Sequence, residues 1–373
     1  MIKILFLINT LGGGGAERVM VNLINNMDKN KFDITVCTMF SDGVNREKIC
    51  DDIKCYCKNK LGIKGLSKII KFVPSSILYK YYVGKVKYDI VVGYMHGAPT
   101  KVVAGCNDKN IKTVTWLHNG DPSMGTFFDF WSNKQSAFNA YASLDAVVGV
   151  SKSVSKAFSS YTGIVNNVYT IYNTNDTKKI IELSNEQFKS DENVFIICTA
   201  GRLSKEKAFD RLINISKRLL NENFEFKIKI LGEGPERDYL ECLIKEKNVE
   251  KYVELCGFCL NPYNVMKASD VFVSSSLSEG LATVLTEALT LGLPVVSTDV
   301  SGAKEVLGEN NEYGLVVDNS ENGIYEGLKE IILNKELREH YKSVARKRAV
   351  IFDTEHTVIE TEKFFRELLN NKQ

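Results

Sequence analysis

Short apolar runs alternate with amphipathic stretches along nearly the whole chain, in two successive sets. That alternation is the signature of parallel sheets whose strands are joined by crossover helices. A single core does not ordinarily grow to 373 residues, so each set is assigned its own domain. In the first set strands are expected at 3–9, 32–39, 89–94, 112–117, 146–150 and 168–171. A helix over 16–27 would put Val19, Met20, Leu23, Ile24 and Met27 on one stripe, as a helix lying on a sheet requires. The turn formers of 173–176 lead into a polar stretch reaching Asp191 and Asn193, which reads as the linker. The second set has expected strands at 194–200, 226–231, 253–255, 271–274 and 294–297. Pro235 is placed to open a helix, and Gly292 with Pro294 to close one. From Ile324 onward the pattern is mostly helical and charged, with a last helix over 356–370.

Composition narrows the function classes. At 44% hydrophobic and 25% charged the chain reads as a soluble globular protein, and a net charge of +2 gives no general case for nucleic-acid binding. Nine cysteines, an odd number without framework spacing, argue for a reducing compartment. The segment MIKILFLINT starts directly as a strand, and no apolar run is long enough to span a bilayer, so a cytoplasmic protein is expected. The pairs Cys256/Cys259 and Cys55/Cys57 lack the second pair that a structural zinc needs, and they read as bystander thiols. His96, His118, His340 and His356 form no local metal motif.

In open parallel sheets ligands bind beyond the carboxyl ends of the strands, so the loops there are the places to search. The first rich loop is Leu11-Gly-Gly-Gly-Gly-Ala-Glu17, whose glycines let backbone approach a phosphate or sugar beside helix-start amides. A dinucleotide fingerprint would demand a third glycine where Glu17 stands. A tight turn without a ligand is the alternative. The second loop, Ala200-Gly-Arg-Leu-Ser-Lys-Glu-Lys207, places Arg202 and Lys207 around the entry to a helix expected to begin near Glu206. Both cations could close on one diphosphate, or the turn could simply be solvated. The third element is SLSEGLATVLTEALTLGLPVV, where two acids bracket a small, apolar run. On one continuous helix Glu279 and Glu287 would lie about 12 Å apart along the axis and could hardly share a ligand. The geometry improves if Glu279 lies in the loop and Glu287 inside a helix over 281–291. Carboxylates accept hydrogen bonds from sugar hydroxyls, so acid and base share a site sensibly if the ligand is a nucleotide sugar. The bland alternative makes Glu287 an exposed helix residue and Glu279 a loop charge.

Taken together these stretches resemble the retaining family 4 glycosyltransferases of GT-B fold, along nearly the whole chain. The first loop is similar to that family's GGAE segment, seen here as Gly14-Gly15-Ala16-Glu17. GRLSKEK resembles its GRL-x-x-x-K element, ILGEGPER its LGxGP turn and SEGLATVLTEAL its E-x7-E element, while SGAKEVLG and YGLVV fall where the family has them. The resemblance implies two Rossmann-like β/α/β domains facing a central cleft: an acceptor-binding domain over 1–177, a nucleotide-sugar domain over 178–350, and a helix over 351–373 packing back toward the first. It also implies that Arg202 and Lys207 bind the donor diphosphate and that Glu287 takes the ribose hydroxyls. Glu279, with the backbone of Gly280, Leu281, Ala282 and Thr283, would face the transferred sugar. Val284 and Leu285 amides would reach the phosphates, Gly14 and Gly15 would approach the donor, backbone near Cys259 would hold the base, and His118 would lie near the reaction centre. Two departures stand out. Ala208 replaces a glycine frequent after the lysine, and Leu281-Ala282-Thr283 replaces a bulkier or proline-containing run in the stretch that lines the donor sugar.

The implied reaction moves a hexose or N-acetylhexosamine from a nucleotide-diphosphate sugar, a UDP-sugar by the resemblance, to a sugar hydroxyl of a glycan or lipid-linked acceptor, with retention and without a metal. Two cations and a helix N-terminus can stabilise the departing diphosphate. Alternatives are a nucleotide-sugar epimerase on the same fold, an NAD-dependent oxidoreductase, and a binding subunit without activity. The stretch over 54–88 carries nine lysines, Lys54, Lys58, Lys60, Lys64, Lys68, Lys71, Lys80, Lys85 and Lys87, and no acid, with Leu66, Ile69, Ile70, Phe72 and Val73 among them. Such a stretch suits peripheral contact with an anionic membrane, or is an ordinary solvated face.

Overall fold

In a computed structural model of the chain, the residues described are 1–41, 43–59, 69–119, 127–186 and 194–370. Among them, strands β1 (Ile2–Ile8), β2 (Phe32–Thr38), β3 (Lys54–Cys57), β4 (Ile90–Gly93), β5 (Lys112–Leu117), β6 (Ala146–Gly149) and β7 (Val168–Thr170) form one sheet in the order β3-β2-β1-β4-β5-β6-β7. Strands β8 (Phe195–Ala200), β9 (Phe226–Leu231), β10 (Val253–Gly257), β11 (Val271–Ser274), β12 (Val295–Thr298) and β13 (Leu315–Val317) form a second, ordered β10-β9-β8-β11-β12-β13. Every pairing in both is parallel. Each order reverses once, between β1 and β4 and between β8 and β11, which creates a switch point in each sheet.

The central strands are apolar almost throughout because helices cover both faces. Ile4 to Ile8 and Ile90 to Val92 are wholly buried. The helix Gly15–Asn26 buries Val19, Met20, Leu23 and Ile24 on the stripe that its periodicity predicts. Two edge strands fall outside the expected set. In β3 only Cys57 is buried, and β13 is three residues long.

The chain divides into two compact units, one comprising Met1–Thr174 with the segment from Thr354, the other Asn175–Asp353. The stretch expected to be a linker holds a helix, Thr177–Ser184, in the second unit. The Asp176 carboxylate caps it by accepting from the Lys179 amide at 3.0 Å, and Ile180 is buried beneath it. Asp191 and Asn193, the far end of that reading, lie outside the described residues.

The helix Thr354–Asn370 completes the core of the first unit. Phe364 and Phe365 pack on Trp116 of β5 at 6.2 and 6.0 Å between ring centroids, and Phe365 lies edge-on to Phe6 of β1 at 6.2 Å. The Glu362 carboxylate accepts from the Asp28 amide at 2.7 Å, and Asn22 donates to the Thr354 hydroxyl at 2.8 Å. No helix among the described residues is long and apolar enough to cross a membrane.

Candidate functional site

The second unit gathers its candidate residues at the switch point, on the loops that follow the adjacent strands β8 and β11. After β8 the chain makes a short 3-10 turn, Lys205–Lys207, where an α-helix had been expected from Glu206. The α-helix proper is Asp210–Asn221. Ala208 ends that turn with φ of 48° and ψ of 47°. This is the left-handed region, which a Cβ makes costly by roughly 1–2 kcal/mol, and it gives the physical reason a glycine would be at home there.

Two glycines of LGEGP hold the β8 loop from beneath. Gly232 has φ of 147°, and a Cβ built on it would overlap the Gly201 carbonyl. One built on Gly234 would overlap the Leu203 backbone. Backbone therefore lies directly on backbone, joined by Leu203 N–H to the Glu233 carbonyl and Glu236 N–H to the Leu203 carbonyl, both at 3.0 Å. The SGA turn supports the β11 loop similarly, since a Cβ on Gly302, whose φ is 80°, would come within 2.9 Å of the Gly280 carbonyl oxygen.

On this scaffold Lys207 and Glu279 meet. The Lys207 ammonium pairs with Glu279 Oε1, and the Ser276 hydroxyl donates to the same oxygen at 2.7 Å. The Ser275 hydroxyl donates to the Lys207 carbonyl at 2.8 Å, and the Leu277 amide to the Glu206 carbonyl at 2.8 Å, so the two loops are sewn together. Ser275 and Ser276 were missed from sequence; their only signal is the run Ser274-Ser275-Ser276 ahead of the acid. Arg202 is exposed, and its guanidinium has no ion-pair partner among the described residues. Glu206 sits between the charges. Burial raises its carboxyl, but hydrogen bonds from its own amide and from Ser204, with the charges of Arg202 and Lys207, hold it below the usual range.

The helix after this loop is Thr283–Leu291, opening two residues later than expected, with Ala282 as an extended N-cap that offers no side-chain cap. Glu279 thus lies in the loop and Glu287 one turn inside the helix. Glu287 is 5% exposed, which removes the reading of an exposed helix residue. The Tyr263 hydroxyl reaches its Oε1 at 3.4 Å. The Leu285 amide, expected to face phosphate, donates to the Ala282 carbonyl at 2.9 Å. Leu281 and Ala282 are buried, while Thr283 and Val284 are partly open. Cys259 follows β10 between two exposed side chains, Phe258 at 74% and Leu260 at 91%. Its sulfur contacts the Asn261 carbonyl at 3.0 Å. All nine cysteines are free thiols, and burial pushes Cys256 up to about 11 and Cys37 and Cys198 to about 12, as bystander thiols require.

The remaining candidates belong to the first unit. Gly14 caps the helix Gly15–Asn26 with extended backbone, and the loop is anchored by Asn45, whose amide donates to the Leu11 carbonyl at 3.0 Å and whose side chain donates to the Gly12 carbonyl. A Cβ at Gly13 or Gly15 would meet nothing within 4 Å, and neither residue has positive φ. The fold itself does not require glycine there. His118 follows β5, with its ring 5.0 Å from that of Tyr94. Burial, the nearby His96 and a partly offsetting hydrogen bond to the Tyr94 backbone bring it down to about 3, so it is neutral near pH 7.

Two parallel Rossmann-like sheets, the second with cations and acids gathered at its switch point, define the architecture of the GT-B glycosyltransferases. Residues 13–179 match the model of Glycosyltransferase Family 4, and residues 180–348 that of Glycosyl transferases group 1. The N-acetylgalactosamine-N,N'-diacetylbacillosaminyl-diphospho-undecaprenol 4-alpha-N-acetylgalactosaminyltransferase of Campylobacter jejuni is 30% identical over 368 residues, covering 95% of this chain and 96% of that one. The chain belongs to glycosyltransferase family 4. Among solved structures, Anabaena HepE in complex with UDP and glucose superposes with a TM-score of 0.76 at 20% identity, covering 98% of this chain and 100% of the other. Sucrose-phosphate synthase from Thermosynechococcus elongatus does so with a TM-score of 0.79 at 15% identity, over 100% of each chain. At such identities these two likenesses establish the fold.

Proposed function

We propose that this glycosyltransferase moves an N-acetylhexosamine or hexose, with retention, from a UDP-linked donor bound by the second unit to a sugar hydroxyl of a glycan or lipid-linked acceptor. The observation that carries the reading is the junction of the β8 and β11 loops, where Lys207 and Glu279 are paired beside exposed Arg202 and ahead of a helix N-terminus. Cations and helix amides suit a diphosphate; carboxylates that accept from hydroxyls suit ribose and the transferred sugar. In this assignment Arg202 and Lys207 neutralise the departing diphosphate, Glu287 takes ribose hydroxyls, Glu279 and the 280–283 backbone face the sugar, and Cys259 backbone flanks the base. His118, neutral, lies near the sugar as a hydrogen-bonding group. Retention and the lipid-linked acceptor are supported by the Campylobacter jejuni relative, whose name specifies an alpha-linked product on a diphospho-undecaprenol acceptor. Transfer from an alpha-linked nucleotide sugar into an alpha linkage retains configuration.

No metal has a part in this reading, because the cationic loop supplies the charge stabilisation. Calorimetry with UDP in the presence of EDTA tests both points. Wild-type protein is expected to bind, and Glu287→Ala about tenfold more weakly, since a charged hydrogen bond of about 1.5 kcal/mol is lost. Binding that appears only after divalent cation is restored refutes the metal-free assignment, and equal affinities refute the ribose contact.

The basic stretch of the first unit extends the proposal to an anionic membrane. Lys60, Lys64, Leu66 and Lys68 lie outside the described residues. Of the rest, Ile69, Phe72, Ile77 and Tyr81 are 55%, 82%, 56% and 50% exposed, among exposed Lys71, Lys80, Lys85 and Lys87. Lys101 fixes this segment from below. Its buried ammonium donates to the carbonyls of Ile70, Lys71 and Phe130 at 2.9, 2.8 and 2.8 Å. Each surface lysine adds about 1 kcal/mol on an anionic bilayer. Co-sedimentation with phosphatidylglycerol vesicles at low salt is expected, weakened by Phe72→Ser with Lys80→Glu; no wild-type binding removes the idea.

A further inference from the structure

In the second unit the chain from Cys259 to Tyr263 joins two contacts of the donor reading, the backbone at the base and the acid at the ribose. Its fixed point is Asn261. The side-chain amide donates to the Leu183 carbonyl and to Glu186 Oε2, both at 2.8 Å, and the side-chain oxygen accepts from the Tyr263 amide at 3.1 Å. The Cys259 thiol reaches the backbone carbonyl of the same residue at 3.0 Å. Both amide protons and the oxygen of Asn261 are thus spent on tying the start of the short helix Tyr263–Lys267 to the end of the helix Thr177–Ser184.

Tyr263 is 9% exposed, and its hydroxyl donates to Glu287 Oε1 at 3.4 Å, between residues 24 positions apart. A phenylalanine would fill the same space without a phenol that has to find a partner. The last torsion of a glutamate is broad, so packing alone aims its two oxygens loosely. A donor held on one oxygen turns the carboxylate plane, and with it the lone pairs of the other. At 3.4 Å the contact is long for a hydroxyl on a carboxylate, so it steers the acid without drawing off much of its accepting capacity.

We propose that Tyr263 is a positioning residue for ribose recognition: it holds the Glu287 carboxylate in the orientation that accepts ribose hydroxyls, and through Asn261 it ties that orientation to the loop at the base. Discrimination of ribose from deoxyribose is then set in part by a side chain one step removed from the sugar. The inference rests on the donor reading above.

The test measures, by calorimetry on the full chain, the affinities of UDP and of its dideoxyribose analogue, which lacks both ribose hydroxyls. Wild-type protein is expected to favour UDP about tenfold, the scale of one charged hydrogen bond. Tyr263→Phe, which keeps the ring in the core, is expected to cut that preference to about threefold by weakening UDP alone, and to change nothing further in a Glu287→Ala background. A side chain that merely packs would weaken both ligands equally, and that result overturns the proposal. So does a wild-type preference in Tyr263→Phe, or a full additional loss in the Glu287→Ala background. Should Tyr263→Phe fail to fold, Asn261→Ala keeps the hydroxyl and loosens the segment that aims it. Its preference for UDP is expected to fall about twofold or more, and an unchanged preference overturns the proposal. The wild type reads the donor assignment separately: equal affinities for the two ligands remove the ribose contact of Glu287 and Tyr263 with it, whereas a wild-type preference that Tyr263→Phe retains removes Tyr263 alone.

Discussion

At the scale of single residues, the ion pair between Lys207 and Glu279 does more than two solvated charges would. Their side chains are 22% and 14% exposed, and Ser276 fixes the acceptor oxygen from a second direction. Before a donor arrives, Glu279 holds the ammonium in place. In the proposed function a diphosphate would claim that ammonium while the carboxylate turns to hydroxyls. Lys207→Ala should lower turnover by about 10²-fold, the usual scale for losing one preorganised charge stabiliser. Initial rates within a few-fold of wild type would remove Lys207 from the proposed mechanism. Ala208 next door is a residue whose strain was invisible in sequence terms except as a departure from a family glycine; its left-handed backbone supplies the physical reason.

At the scale of elements, the β8 loop owes its shape to a neighbour. The turn after β9 presses its backbone on Gly201 and Leu203, and only glycines at 232 and 234 allow it. Gly232→Ala is expected to strain a backbone region close to glycine-only, at roughly 1–3 kcal/mol, and to displace the loop bearing Arg202. Thermal unfolding should report the first effect and at least a tenfold weaker UDP affinity by calorimetry the second; an unchanged affinity would separate this turn from donor binding. Strands β1, β5, β9 and β11 were legible within a residue at either end because β1 and β11 are short apolar runs and β5 and β9 alternate apolar with polar residues. Strands β3 and β13 were not, because β3 buries only Cys57 and the apolar run of β13 is only three residues long, too short to be told from a loop. The helix Thr177–Ser184 was obscured by its polar surroundings, although its Asp176 cap was in plain view.

At the scale of the whole molecule, the buried histidines of the first unit couple stability to acid. Burial lowers His96 to about 4 and, with the nearby His96 charge, His118 to about 3, while an unfolded chain titrates them near 6.5. The unfolded state therefore takes up protons first. Their contribution to stability is complete above about pH 6.5 and is lost as pH falls from there toward 3, on the order of a few kcal/mol in all. The melting temperature should fall between pH 7 and 5, and less steeply in His96→Phe, which keeps the parallel stack on Phe127 at 4.2 Å. Equal slopes for both proteins would rule out His96 as a contributor.

Covalent order by itself determined the alternation of strand and helix, the two-set organisation, and the stretches in which cations, acids and glycines would be found. These are properties of spacing along one dimension, and hydrophobic periodicity carries them. Tertiary structure decided which of those residues meet. Lys207 and Glu279 stand 72 positions apart and pair only because β8 and β11 are neighbours across a reversal of strand order. Strand order is set by the burial of whole faces against helices, a sum over many contacts that no local window of sequence contains.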